Sequence, residues 1–456
     1  MPLVAGVDSS TQSTKVQIRD LDSGVLVAEG RAAHPVVTPP VSQQDPASWL
    51  AAFSDAWDQG TATLTAAARS RRDVVAISVA GQQHGMVACD PTGVPLHPAV
   101  LWNDTTAAPD ADRLIGRLPG GAAGWAQACG SVPVAAFTIA KLSWLHRTAP
   151  EVWSRVQRVC LPHDWLTWQL TGQFVTDRGD ASGTGYWSPA GGGYRWDLLA
   201  FVDEERDWST ALPRVLDPAE PAGMWSVDGV EVLVAAGTGD NMAAALGIGV
   251  LPGDVVISIG TSGTIFTVAE SPTADPSGAV AGFADANGRF LPLVCTLNAA
   301  KVTDAIARLL GVDASDLDAL ALAAEPGAGG VTVVPYFDGE RTPNLPEATG
   351  SITGLRTDVR PEQLARAAVE GVVGGLLAGR DALAAHAPID TDRLWLVGGG
   401  ARSAAYRQVF AEWTGAEILT SAIDEVVALG ACVQAAAAFT ASDPDDVRQA
   451  WGSLQA

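Results

Sequence analysis

Lysine is nearly absent from this chain of 456 residues, which contains only Lys15, Lys141 and Lys301 and uses arginine for its other positive charges. An ammonium group is a compact point charge that a guanidinium group does not replace, so each lysine is a candidate for a specific contact. Chance in the composition explains the presence of any one of these lysines equally well. Lys15 is the best candidate because it lies in the first predicted turn.

Positive charge is scarce as a whole, since 28 lysines and arginines stand against 51 acidic residues and the net charge is −23. A general nucleic-acid or anionic-membrane binder needs a basic surface that collects phosphates. We therefore expect no nucleic-acid partner and no membrane partner. A small-molecule partner is favoured.

Cysteine pairs and targeting segments are also missing. The five cysteines show no CxxC spacing and no histidine partners at zinc-site spacing, which is typical of reduced core residues in a cytoplasmic protein. No basic segment and apolar stretch precede the first predicted strand. The most apolar late run, residues 426–439, is too short to span a bilayer, and we predict a buried helix there.

The length and composition predict two globular lobes. A chain of 456 residues exceeds one ordinary domain, and hydrophobic residues make up 47% of it against 17% charged residues. Short strands followed by alternating helix and strand indicate an α/β fold with mixed sheets covered by helices. The turn at 252–254 predicts lobes at residues 1–249 and 250–456. Residues 137–172 are predicted to be helical in two pieces, separated near Pro162.

Two segments near the starts of these lobes have the same pattern. Residues 3–20 and 255–269 each predict two strands joined by a turn of Ser, Thr and Gly residues. Backbone N–H groups and hydroxyls in such turns form concavities that suit anions. No GxxxxGK[ST] motif is present, so phosphate binding must use other turns. A Ser/Thr-rich β-turn with a capping Asp8 is the alternative for the first segment.

Asp240 is the strongest single candidate for catalysis. It follows a predicted strand at 231–237 and opens an apolar helix. A structural N-cap is the competing role, and the helix N-terminus would then depress the pKa of the carboxyl group. Phosphoryl transfer through a loose transition state asks mainly for orientation and late proton acceptance, so a weak base suffices.

Polar clusters after two further strands suit a sugar or polyol. Gln82, Gln83 and His84 follow a strand and lie between glycines, where amides and an imidazole can read hydroxyl groups. Trp102 and Asn103 follow another strand and offer an aromatic face and a polar edge. A hydrogen-bonded structural histidine and a core tryptophan are the alternatives.

Taken together, the chain resembles the FGGY carbohydrate kinases, and among them the xylulokinases, from end to end. The residues that carry this resemblance are VDSSTQSTK at 7–15, GQQHG at 81–85, LWND at 101–104, FTIAKLSWL at 137–145, FVTDRGDASGT at 174–184, GTGDNMAAALGIG at 237–249, GTSGT at 260–264, FDGERTP at 337–343, GSITGL with QLARAAVEG within 350–371, and GGGARS at 398–403.

The resemblance implies a two-lobed actin-like ATPase fold, which is ribonuclease H-like, with mixed sheets and an inter-lobe cleft. It implies ATP- and Mg²⁺-dependent phosphorylation of the terminal hydroxyl of D-xylulose to D-xylulose 5-phosphate. Another ketose or a pentitol is the alternative substrate. An actin- or chaperone-like ATPase switch and a sugar-binding regulator without catalysis are the alternative functions. The oligomeric state is left open, with a homodimer as one outcome.

The resemblance also assigns roles to residues of both lobes. Asp240 matches the catalytic base and Asp8 the acid near the metal and phosphates, so both are candidates for the metal, through water. Substrate candidates are Gln83, His84, Trp102, Asn103, Asp240 and Asn241. ATP candidates are Thr11, Gln12, Ser13, Thr14, Lys15, Gly260, Thr261, Ser262, Gly399, Gly400 and Ala404.

The chain departs from its relatives at two places. Gln83 stands where xylulokinases often have Met, and Thr105-Thr106 follow Asp104 where relatives often carry an Arg. The Arg-Glu pair that glycerol kinases use near Gln83 and His84 is missing, which disfavours glycerol as a substrate.

Overall fold

The computed structural model describes residues 2–452, and their contacts divide the chain into two compact units. The first contains residues 2–249, 282–290 and 425–452, and the second contains residues 250–281 and 291–424. The division after Gly249 falls where the sequence predicts the lobe boundary. Two later segments, which the sequence-based division placed in the second lobe, pack instead within the first unit.

Both units are built from short strands. Numbered along the chain, the strands are β1 (Leu3–Ser9), β2 (Ser13–Asp20), β3 (Leu26–Ala33), β4 (Gln43–Gln44), β5 (Val74–Gly81), β6 (Val87–Cys89), β7 (Ala99–Val100), β8 (Arg158–Cys160), β9 (Val175–Asp177), β10 (Trp187–Ser188), β11 (Gly193–Tyr194), β12 (Arg214–Leu216), β13 (Pro221–Val227), β14 (Val230–Ala235), β15 (Thr238–Gly239), β16 (Val255–Ile259), β17 (Gly263–Thr267), β18 (Ala281–Ala284), β19 (Phe290–Thr296), β20 (Thr332–Val334), β21 (Ser351–Thr353), β22 (Arg393–Val397) and β23 (Glu417–Thr420).

Helices connect and cover these strands. They are α1 (Pro46–Thr63), α2 (Ala108–Arg117), α3 (Gly121–Cys129), α4 (Thr138–Thr148), α5 (Pro150–Trp153), α6 (Pro162–Thr171), α7 (Arg178–Ser182), α8 (Trp196–Leu199), α9 (Trp208–Ala211), α10 (Asp240–Ile248), α11 (Ala300–Leu310), α12 (Ala314–Ala323), α13 (Pro361–Ala384), α14 (Ala404–Thr414), α15 (Val426–Thr440) and α16 (Pro444–Ala450).

The main sheets of the two units contain the same arrangement, as the repeated hairpin predicts. In the first unit β1 pairs antiparallel with β2 and parallel with β5, within the strand order β13-β14-β5-β1-β2-β3. In the second unit β16 pairs antiparallel with β17 and parallel with β22. Apolar residues of these strands are buried, because helices cover the mixed sheets. The two-lobed α/β fold with mixed sheets is confirmed.

The late apolar run forms the predicted buried helix, α15, and belongs to the first unit. Small residues let it approach its neighbours closely. A Cβ on Gly6 of β1 would lie 2.0 Å from the carbonyl oxygen of Ala428, and a Cβ on Gly430 would lie 1.9 Å from that of Ala243 in α10. This packing explains why the chain returns to the first unit near its end. Among residues 2–452 no single helix has the length and apolar composition to cross a membrane.

The region 137–172 contains two main helices, α4 and α6, as predicted, and the break between them ends just before Pro162. Pro162 is the first residue of α6 rather than the break itself, since a proline at this position loses no hydrogen bond of the helix. The short helix α5 and the strand β8 lie between α4 and α6.

All five cysteines are free thiols, and four of them are buried.

Candidate active site

The first hairpin brings Asp8 and Lys15 together. They are directly opposite each other in the register of β1 and β2, and Lys15 Nζ lies 3.2 Å from Asp8 Oδ2. Lys15 Nζ also lies 2.5 Å from Oε2 of Glu425, the residue before α15. Burial raises the pKa of Asp8, although the Lys15 ammonium acts against this shift. Lys15 therefore stands between two carboxylates, one of which the sequence did not indicate.

The turn residues between these strands have different environments. Gln12 is exposed, whereas Ser13 and Thr14 are buried in β2. The hydroxyl of Thr14 lies 2.8 Å from Nε2 of His34, so this side chain contributes to the core. The hydroxyl of Thr11 donates to Gln82 Oε1 at 3.0 Å and accepts from Trp102 Nε1 at 2.9 Å. Thr11 thus joins the first turn to the predicted sugar cluster.

Asp240 is the first residue of α10 and is not its N-cap, which is Gly239. Its Oδ1 accepts hydrogen bonds from the backbone N–H and the side-chain Nδ2 of Asn241, at 2.8 and 2.9 Å. Burial, with the negative charges of Asp8 and Asp180, raises the pKa of Asp240 to about 7. The expectation of a depressed pKa is wrong, because desolvation and like charges outweigh the helix N-terminus.

Gln83, in the polar cluster at the end of β5, is connected to Asp240 through Asn241. Asn241 Nδ2 donates to Gln83 Oε1 at 2.9 Å, and a Cβ on Gly239 would lie 2.7 Å from Gln83 Cγ. The glycine therefore allows Gln83 to approach the chain beside Asp240. Substrate and acid candidates that are distant in sequence meet here in the first unit.

The next residue, His84, has an unusual backbone conformation, and several contacts hold its imidazole ring. Its φ is 62°, in the left-handed region. Nδ1 lies 2.8 Å from the carbonyl oxygen of Gly183 and donates to it, because a carbonyl oxygen can only accept. The imidazole packs against Phe137 and Phe283, with ring centroids 5.0 and 5.5 Å away.

The third part of the cluster is the segment after β7. Trp102 is 38% exposed and is not a core residue, while Asn103 is half-buried beside it. Asp104 is buried and accepts the backbone N–H of Ser42 at 2.8 Å, and it also accepts the Thr106 hydroxyl. Asp104 and Thr106 therefore hold this segment in place, and Trp102 and Asn103 are left as candidates for contact with a ligand.

Several buried polar atoms of this cluster lack hydrogen-bond partners within the described residues. They are Asp8 Oδ1, Gln82 Nε2, Gln83 Nε2 and Asn103 Oδ1. A buried polar group without a partner costs about 1–3 kcal/mol. Such a concentration of donors and acceptors is expected where a polar ligand supplies the missing hydrogen bonds.

A buried ionic cluster, which no pattern in the sequence predicts, supports the residues before Asp240. His163 of α6 is fully buried, with Nδ1 2.8 Å from Asp180 Oδ2 and Nε2 3.2 Å from Asp164 Oδ1. Asp177 accepts the hydroxyl of Thr238, two residues before Asp240, at 2.7 Å. Burial alone would lower the pKa of His163, but Asp164 and Asp180 raise it to about 10.

Replacing His163 by glutamine should lower the free energy of unfolding by about 3 kcal/mol, because buried carboxylates lose their positive partner. The folded-state pKa lies above the ordinary value of 6.5, so this contribution is present at neutral pH and is lost as the pH rises through about 10. Urea unfolding at pH 7 measures the change. His97→Gln is the matched control, since His97 contacts the carbonyl oxygen of Pro98 and no carboxylate. Equal stability of the two variants would contradict a charged His163.

The candidates in the second unit also lie near one another. Gly260, Thr261 and Ser262 form the turn between β16 and β17, and the N–H groups of Ala299 and Ala300 donate to the carbonyl oxygens of Thr261 and Gly260. Gly399 and Gly400 follow β22, which pairs with β16. A Cβ on Gly400 would lie 2.4 Å from Ile259 Cγ2, so this turn packs on the end of β16.

The last of these candidates, Ala404, begins α14. Its backbone N–H donates to Asp318 Oδ2 at 3.1 Å, and the N–H of Ala405 donates to Asp318 Oδ1 at 3.0 Å. The carboxylate of Asp318, which the sequence did not single out, therefore holds the start of α14 beside the glycine turn.

Comparison with known proteins gives matches over nearly the whole chain. The N-terminal domain of the FGGY family of carbohydrate kinases matches residues 3–247, and the C-terminal domain matches residues 255–439. Xylulose kinases of Streptomyces rubiginosus and Streptomyces coelicolor are 45% and 46% identical, and each alignment covers 99% of this chain and 91% of the relative.

Among solved structures, the crystal structure of xylulose kinase from Bifidobacterium adolescentis is similar, with a TM-score of 0.86 and 39% identity over 99% of this chain and 98% of that chain. A kinase from Brucella ovis described as a xyloylose kinase gives a TM-score of 0.91 and 29% identity over 100% and 93% of the two chains. Both family domains match in chain order and cover most of the residues. The chain therefore belongs to the FGGY family of carbohydrate kinases, which use ATP to phosphorylate an alcohol group of a sugar.

Proposed function

We propose that this kinase transfers the γ-phosphate of ATP to the terminal hydroxyl of D-xylulose and forms D-xylulose 5-phosphate. The identity of 45–46% with xylulose kinases over 99% of the chain supports this substrate. The observation that carries the proposal is the arrangement around Asp240, where Asn241 joins the acid to Gln83. A proton acceptor thus lies beside amides able to bind several hydroxyl groups.

The sugar site, in this proposal, uses the unpaired polar atoms of the first unit. Gln83 Nε2 donates to one hydroxyl and Asn103 Oδ1 accepts from another, since both atoms are buried without partners. His84 contributes its imidazole ring to the same site, held in place by the hydrogen bond from Nδ1 to Gly183. Trp102 packs its exposed face on the carbon chain of the sugar.

Asp240 acts as the general base in the same proposal. With a pKa of about 7 it accepts a proton more readily than an ordinary aspartate, while a large fraction remains ionised at neutral pH. Asn241 holds Oδ1 with two hydrogen bonds. The orientation of the carboxylate is therefore fixed before the sugar hydroxyl arrives.

ATP is proposed to bind the residues that the resemblance to the family assigns to it. Lys15 and the turn at Thr11, Gln12, Ser13 and Thr14 would contact phosphates through charge and backbone groups, as would Gly260, Thr261 and Ser262. The adenine would lie near Gly399, Gly400 and Ala404. These assignments are supported by the Ser/Thr/Gly turns of the two hairpins and by the glycine turn that packs on β16.

Mg²⁺ is proposed to bind through water to Asp8 and Asp240. Carboxylate oxygens suit this cation, and Asp8 Oδ1 is buried without a partner. Within residues 2–452 no group of three or more His, Cys, Asp and Glu side chains is arranged to hold a metal, so phosphate oxygens and water would complete the coordination. When bound, Mg²⁺ neutralises charge on the phosphates. A cytoplasmic location is also proposed. The oligomeric state stays open, with a homodimer as one outcome, and light scattering of the purified protein determines it.

A panel of sugars with Mg-ATP tests the substrate. We expect D-xylulose to give the largest kcat/KM, with at least about a tenfold advantage over D-ribulose, xylitol and glycerol, because one mismatched polar contact costs about 1–3 kcal/mol. Coupled detection of ADP measures the rates, and ¹³C and ³¹P NMR of the product identifies the phosphorylated carbon. The rate without sugar is the control. If no pentulose raises ADP release above this rate, the proposed substrate is wrong.

A further inference from the structure

His84 has a backbone conformation that a non-glycine residue rarely adopts. Its φ of 62° lies in the left-handed region, where the side chain crowds the backbone. Such a conformation persists only where the surroundings hold it. The groups that hold His84 therefore determine where the candidate sugar-binding side chains stand.

Two donors of α4 converge on the carbonyl oxygen of His84. Lys141 Nζ lies 2.6 Å from this oxygen, and Thr138 Oγ1 lies 3.2 Å from it. The ring of the same residue is held from the other side, since Nδ1 donates to Gly183 at 2.8 Å. The backbone and the imidazole are thus fixed by separate contacts.

Lys141 is an unusual residue to find in this place. It is fully buried, and among the described residues no carboxylate forms a salt bridge with it. Burial lowers the pKa of Lys141 to about 7, although Asp104 and Asp180 act in the opposite direction. An amine and an ammonium group both carry N–H donors, so either form holds the carbonyl. A buried lysine in this chain of three lysines is then best explained by its hydrogen bond to His84.

We infer that Lys141 is a positioning residue for sugar binding: with Thr138 it holds the His84 carbonyl, and so fixes the left-handed backbone that presents Gln83 and His84 to the substrate. The inference rests on the proposed role of Gln83 and His84 in binding the sugar. It does not depend on which sugar is bound, because the contact acts on the backbone.

Lys141→Met keeps the length of the side chain and removes the donor. We expect the KM for the sugar to rise by about tenfold or more, since small displacements of positioned groups have large kinetic effects. The KM for ATP should stay unchanged, because no ATP candidate contacts Lys141. Thr138→Val removes the second donor with little change in volume and should raise the sugar KM by a smaller factor, about threefold. Steady-state kinetics with each substrate varied gives both constants.

Ser143→Ala is the matched control on the same helix. Ser143 donates to buried Asp110 at 3.0 Å and does not contact His84, so its loss weakens α4 without releasing the carbonyl. The sugar KM of this variant should equal that of the wild type. Thermal unfolding of the three variants shows how much stability each has lost. If Lys141→Met does not fold, the sugar KM of Thr138→Val alone tests the positioning role of these donors.

A double-mutant cycle with His84→Ala separates positioning from general weakening. In the His84→Ala background, Lys141→Met and Thr138→Val should raise the sugar KM by clearly less than they do in the wild type, because the imidazole that they position is gone. Equal factors in both backgrounds, an unchanged sugar KM in both single variants, or parallel increases for sugar and ATP would overturn the inference. The cycle uses whichever sugar the wild-type enzyme phosphorylates, so a wrong assignment of xylulose leaves it intact.

Discussion

Asp240→Asn is expected to lower kcat for sugar phosphorylation by about 10²–10⁴-fold, the range typical of the loss of a general base. The amide oxygen can still accept the backbone N–H of Asn241, so the start of α10 should be preserved. The amide cannot accept a proton from the sugar hydroxyl. Steady-state kinetics gives kcat, and calorimetric titration gives the dissociation constant for ATP, which should change little.

The matched control for this change is Asp90→Asn, the same substitution in a turn where the carboxylate accepts hydrogen bonds from Thr92 and Val94. Its kcat should equal that of the wild type. If Asp240→Asn keeps kcat within about threefold of the wild type, the decrease in kcat is far smaller than the decrease expected when a general base is removed. Asp240 would then be a residue of local structure, the role that its position at a helix start also allows.

The sequence predicts local features of this site well and distant ones poorly. The strand at 74–81, the repeated hairpin and the helix beginning at Asp240 follow from short patterns of apolar, polar and glycine residues. Glu425 lies 410 residues from Lys15, and no local pattern indicates that the two meet. The contact arises because α15 packs on β1, which depends on the close approach at Gly6.

The electrostatic environment of the buried titratable groups was the least predictable feature of the site. The position of Asp240 at a helix start suggested a depressed pKa, yet burial raises the pKa, and the charges of Asp8 and Asp180 from other parts of the first unit add to this shift. The sequence does not single out His163, yet three aspartates surround it. The sum of several charges in a low-dielectric interior depends on their positions in space, which spacing along the chain does not reveal.

Lys15→Met is expected to lower kcat/KM for ATP by about 10²-fold, the loss measured when one donor to developing charge is removed from an active site. Lys15 is the only lysine of the first hairpin, and its ammonium lies 3.2 Å from Asp8. The kcat/KM is measured with ATP varied at saturating sugar. Thermal unfolding checks that the variant is folded, because the buried carboxylate of Asp8 loses its partner.

Glu425→Gln distinguishes a phosphate contact of Lys15 from a purely structural ion pair. The pair between Lys15 and Glu425 is partly exposed, with side-chain exposures of 20% and 29%. Such pairs contribute about 0–1 kcal/mol, so kcat/KM for ATP should stay within about fivefold of the wild type. If instead Glu425→Gln and Lys15→Met lower kcat/KM equally, Lys15 serves to attach the start of α15 to the hairpin. A large loss in Lys15→Met alone excludes the pair with Glu425 as the cause, and means that the ammonium acts on ATP or through its second partner, Asp8.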